Sequence, residues 1–78
     1  MSYQNDPQLQ SLIRMANQIS VNLARDDDEQ SATLIANHLK KFWAKSMKEQ
    51  FIAYAQEDGQ DLSALARMAA ERLSEIKA

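Results

Sequence analysis

A single glycine and a single proline in 78 residues constrain this chain more than any other feature. Sharp turns and strand ends draw on these two residues, so a chain nearly without them has few places to reverse direction. Alanine is abundant and β-branched residues are scarce, which favours helix over strand. The expected fold is therefore all-α: a compact bundle of four short helices, one domain over residues 1-78, with frayed ends at about 1-5 and 77-78. At this length only about 60% of the unfolded chain's surface can be buried, so the core is small.

Apolar spacing places the helices. The first starts at Asp6-Pro7, where aspartate caps and proline at the first position loses no hydrogen bond, and it runs to about Arg25. Leu9, Leu12, Ile13, Ala16, Ile19 and Leu23 share its inner face. Asp28 is the expected cap of a second helix from Glu29 to Trp43, whose stripe is Ala32, Ile35, Ala36, Leu39, Phe42 and Trp43. Ser46-Met47-Lys48-Glu49 fits a capping box for the third, with Met47, Phe51, Tyr54 and Ala55 facing inward and Gly59 as its left-handed stop. The fourth starts at Asp61 or Ser63 and carries Leu62, Leu65, Ala66, Ala69, Leu73 and Ile76. Short joints favour neighbouring, antiparallel helices.

Reactive chemistry is sparse. There is no cysteine, hence no disulfide, thiolate metal site or cysteine nucleophile, and His38 is the sole histidine. Gly59 alone cannot build a phosphate loop, no serine sits in a nucleophile elbow, and the acidic run Asp26–Glu29 lacks the spacing of a calcium loop. These absences predict a chain that is not an enzyme and binds no metal or cofactor. No apolar run reaches the length of a bilayer span, and Met1 to Gln10 has neither the basic nor the apolar segment of a secretion signal, so a cytoplasmic protein is expected. Lys40, Lys41, Lys45 and Lys48 form a basic cluster, but arginine is sparse there and the net charge is -2, which argues against nucleic acid.

The helical wheel leaves several residues off the core. Gln18 points away from the first stripe and Asn17 flanks it, while Leu34, His38, Lys41 and Lys45 fall on the outward side of the second helix. Phe42-Trp43 is the only adjacent aromatic pair, and at least one of the two belongs in the core.

Two segments together resemble a known family. Met15-Ala16-Asn17-Gln18-Ile19 is similar to the M-A-N-Q-I element of the delta subunit of NAD-dependent, molybdenum-containing formate dehydrogenase. Ile35-Ala36-Asn37-His38-Leu39-Lys40-Lys41-Phe42-Trp43 resembles its I-A-x-H-[LI]-[RK]-[RK]-F-W element, and Leu62-Ser63-Ala64-Leu65 resembles the start of its last helix. The chain departs from the family's D-P-R-M-R with Ala44-Lys45-Ser46-Met47-Lys48, and from the proline after Leu-Ser with Ala64.

The resemblance implies a small accessory component of a cytoplasmic enzyme that oxidises formate and reduces NAD, acting in assembly, maturation or stabilisation. It implies that molybdopterin guanine dinucleotide, iron–sulfur clusters and FMN sit in the larger subunits, chiefly the catalytic one for contact, and that this chain holds none. Under it, Asn17, Gln18, His38, Lys41, Trp43 and Met47 are the candidate partner contacts, and Trp43→Ala or His38→Ala is expected to weaken association while helicity stays near normal. The alternative is a self-associating helical module unrelated to that enzyme, a homodimer in isolation that buries Leu34 and the aromatic end.

Overall fold

The computed structural model describes residues 7–76 and shows four helices: α1 (Pro7–Leu23), α2 (Asp28–Phe42), α3 (Lys45–Glu57) and α4 (Ala64–Ile76). No strand occurs among the described residues. The expected cap at Asp6 and the frayed ends lie outside the described residues. The Cα radius of gyration is 11.4 Å, against about 11.5 Å for a compact domain of this length, so the four helices close into a single globule.

The helix ends differ from expectation in two places. Asp27, not Asp28, caps α2: its Oδ1 accepts from the Glu29 and Gln30 amides at 2.8 and 3.3 Å. Asp28 and Glu29 then occupy the first turn, where their charge suits the positive end of the helix dipole. The capping box at Ser46 does not form. Ala44 takes the cap position of α3 without a side-chain bond, and Ser46 is already the second helical residue. A two-residue joint leaves no room for a later start. The stop of α3 and the start of α4 follow the sequence. Gly59 sits at φ +62°, and its amide and that of Asp58 both donate to the Tyr54 carbonyl, closing α3. A Cβ there would lie 3.0 Å from the Ala55 carbonyl oxygen. Ser63 caps α4, its Oγ accepting from the Ala66 amide at 3.1 Å.

The core gathers Leu9, Leu12, Ile13 and Ala16 from α1, Ile35, Ala36 and Leu39 from α2, Phe51, Ile52 and Tyr54 from α3, and Leu62, Ala66, Ala69, Ala70 and Leu73 from the α4 region. Ile19, Leu23, Met47, Ala55, Leu65 and Ile76 pack at its edge. The tightest pairing is not between consecutive helices. α2 packs chiefly on α4, while α3, tied to α2 by two residues, leans on α4 and α1. Small side chains explain this choice. Ala32 and Ala36 on α2 and Ala66, Ala69 and Ala70 on α4 are all buried, and alanine faces let two axes approach closely. Arg72 and Glu29 form an ion pair between the same two helices.

Two buried serines were not singled out by the spacing. Ser20 Oγ donates to the Ala16 carbonyl one turn back at 2.7 Å. Ser31 accepts from the Arg25 amide at 2.6 Å and donates to the Asp27 carbonyl at 2.9 Å, so one hydroxyl holds the α1–α2 loop.

Candidate interaction surface

The C-terminal end of α2 decides how the two adjacent aromatics are used. The Trp43 amide still donates to the Leu39 carbonyl at 2.9 Å, but its backbone is already extended, at φ -88° and ψ 144°. That change of direction turns the indole inward. Trp43 is 7% exposed and meets Phe51 edge-on, with centroids 5.6 Å apart. Phe42, the last helical residue, is left 66% exposed. The expectation that Phe42 joins the core stripe is therefore corrected. The small end of the bundle takes one of the two rings and excludes the other. Trp43 is likewise no exposed anchor, so Trp43→Ala opens a cavity and cannot leave the helices undisturbed.

Phe42 does not stand alone. The His38 ring, one turn back, lies 4.8 Å from it and tilted by 45°. The Lys41 ammonium is 5.7 Å from the Phe42 centroid, within cation–π range. Lys40 and Lys41 occupy the last turn, where the helix dipole favours positive charge. Lys48 reaches back from α3 and donates its ammonium to the Lys40 carbonyl at 3.1 Å, satisfying a carbonyl that the helix cannot. Lys40, Lys41 and Lys45 enter no ion pair among the described residues. Lys45 opens α3 rather than extending α2. The result is a helix end carrying a flanked aromatic ring and unneutralised positive charge.

The six candidate residues separate in the structure. His38 and Lys41 meet at Phe42. Met47 is half-buried against the core. Gln18 is exposed on α1 and donates to Asn22 one turn on, at 3.4 Å. Asn17 is committed inward to the α3–α4 loop: its Nδ2 donates to the Asp61 carbonyl at 3.0 Å, and its Oδ1 accepts from the Ser63 amide at 2.9 Å. Tyr54 and Arg67 hold the same loop, the phenol accepting from the Asp61 amide and the guanidinium donating to the Gly59 carbonyl. Asn17→Ala should cost about 1–2 kcal/mol, because both partners lose an intramolecular bond. Thermal unfolding checks the loss, and faster amide exchange at Ser63 locates it. An unchanged midpoint with unchanged exchange would remove Asn17 from the clamp. Phe42 itself was missed as a surface residue. Its lysine neighbours gave the only signal in the sequence, since Lys40 and Lys41 need solvent for their ammonium groups.

Two grooves lie elsewhere on the described surface. One groove of about 330 Å³ is lined by Glu29, Met68, Glu71, Arg72 and Glu75. Another of about 250 Å³ lies between α3 and α4, over Ile52, Ala55 and Ala70. No group of three His, Asp or Glu among the described residues is placed to hold a metal ion. No described helix is long and apolar enough to cross a membrane.

Fold and surface together define a class: a small four-helix domain whose distinctive feature is a basic, aromatic-tipped helix end. The chain belongs to the NADH-dependent formate dehydrogenase delta subunit family, FdsD, whose family model matches residues 11–70. Comparison with curated proteins and with solved structures gave no match. A delta subunit is part of a complex, so membership implies larger formate dehydrogenase subunits as partners.

Proposed function

We propose that this chain is a non-catalytic accessory subunit of a cytoplasmic, NAD-dependent formate dehydrogenase, acting by protein–protein contact in assembly, maturation or stabilisation of the molybdenum holoenzyme. The family match over residues 11–70 is the observation that carries this reading. Donor chemistry supports it. Iron–sulfur clusters are held by thiolates, and the chain has no cysteine to offer one. Molybdopterin guanine dinucleotide and FMN need enclosing pockets, and neither of the two grooves described above is a closed cavity. On this reading all three cofactors belong to the larger subunits, and this chain contributes surface, chiefly to the catalytic one.

The motif residues fit such a division of labour. In the segment Ile35–Trp43, Ile35, Ala36, Leu39 and Trp43 are buried and build the bundle, while Lys40, Lys41 and Phe42 are exposed and His38 is half-buried. The test is to express the larger subunits with and without this chain. Omission is expected to lower the amount of assembled, molybdenum-loaded complex and its formate-dependent NAD reduction several-fold. Equal yield, metal content and turnover in its absence would overturn the proposal, as would formate oxidation by the isolated chain.

A further inference from the structure

We propose that the C-terminal end of α2 docks an acidic segment of a larger formate dehydrogenase subunit, with the Phe42 ring entering an apolar recess of that segment and Lys40, Lys41 and Lys45 facing its carboxylates. This rests on the accessory-subunit reading and gives it a site. Phe42 is 66% exposed although α2 has a core to serve. Its ring is already flanked by His38 and Lys41, so its orientation is largely held before any partner arrives. A preoriented aromatic loses little freedom on binding and makes an effective anchor.

Charge states the chemistry of the occupant. No acidic residue occurs between Glu29 and Glu49, while four lysines do. Lys48 is engaged by the Lys40 carbonyl, which leaves Lys40, Lys41 and Lys45 without an ion pair among the described residues. A local positive end on a chain of net charge -2 selects a negative counterpart. Other occupants fit less well. In a two-fold dimer through this end, lysines would face lysines. No arginine lies between Arg25 and Arg67 to grip phosphates in pairs. A single ring is far from the broad apolar face that holds a helix on a bilayer.

The test measures binding of the purified full-length chain to the purified complex of larger subunits, at low and high salt. Phe42→Ala, and separately the triple variant Lys40→Gln, Lys41→Gln, Lys45→Gln, should each weaken binding by about tenfold or more. Val21→Ala, an equally exposed apolar position on α1, should leave it unchanged. Binding should weaken as salt rises. Circular dichroism should match wild type for all three, and the unfolding midpoint should fall only slightly, most for the lysine variant, which loses favourable charge at the helix end. A photo-reactive phenylalanine analogue at position 42 should cross-link to a stretch rich in Asp and Glu on a larger subunit. If wild type binds and both α2 variants bind as tightly, the docking site falls while the accessory role stands. If wild type does not bind at all, the accessory role falls and the site with it. Cross-linking to a neutral or basic stretch or to a second copy of the chain would overturn the docking proposal. So would Phe42-dependent binding to single-stranded RNA or phosphatidylserine vesicles in place of the subunits.

Discussion

Trp43→Ala is expected to remove about 3–5 kcal/mol of stability, the usual cost of deleting a large buried ring. A domain of this length has about 4–12 kcal/mol in total, so the loss takes a large share of it and lowers the unfolding midpoint steeply. The reason is local. The indole is 7% exposed and packs edge-on against Phe51, itself fully buried, so truncation opens a void in the core. Phe42→Ala, one residue earlier, should change stability by less than about 0.5 kcal/mol, because that ring is mostly in solvent. Urea unfolding followed by far-ultraviolet circular dichroism compares the two directly. Equal losses, or a larger loss for Phe42→Ala, would mean that the two rings are placed the wrong way round. The contrast also governs how binding data are read. Weakened association by Trp43→Ala reports a damaged fold, whereas weakened association by Phe42→Ala reports a lost contact.

Ala36→Leu should lower the melting temperature by about 10–20 °C, corresponding to an overpacking cost of about 2–3 kcal/mol. Ala36 is fully buried on α2, the helix that packs chiefly on the alanine-rich face of α4. Three added carbon atoms there must push the helices apart or force strained rotamers. Ala53→Leu, on the exposed side of α3, makes the same chemical change in open solvent and should be nearly neutral. Calorimetry on the pair decides the matter. If Ala36→Leu melts with wild type, close approach through small residues does not hold α2 to α4.

Much of the helix plan is legible from spacing alone. The inner faces of α1 and α4 agree with the buried residues, apart from Ser20 and Ala70, because a 3.6-residue repeat needs only local information. Gly59 is legible for a similar reason: few residues other than glycine tolerate its positive φ. Cap registers are harder. Asp26, Asp27 and Asp28 are equivalent candidates by residue type, and the choice of Asp27 follows the loop that Ser31 ties down. Ser46 and Glu49 have the spacing of a capping box, yet the Trp43–Ala44 joint starts α3 before Ser46 can cap it.

The candidate surface was less legible than the fold. His38 and Lys41 were readable as outward residues because they lie off the stripe. Phe42 was not, since on a wheel it sits about 20° from Ile35, near the centre of the buried face. The wheel describes an unending helix and carries no signal that α2 ends at Phe42 and turns the next ring, Trp43, into the core instead. Asn17 shows the opposite failure. Its place beside the stripe suggested an available amide, and only the approach of a loop 44 residues away gave both its polar atoms work inside the molecule.

By itself the amino-acid order determined that four helices form, which side of each is apolar, and that the reactive groups for catalysis are few, because these depend on side-chain type and on neighbours within a turn or two. Tertiary structure alone decided that α2 pairs with α4, that Trp43 goes in and Phe42 stays out, and that Asn17 clamps a loop. Each of those outcomes depends on which distant surfaces compete for the same limited interior, and that competition has no expression in local spacing.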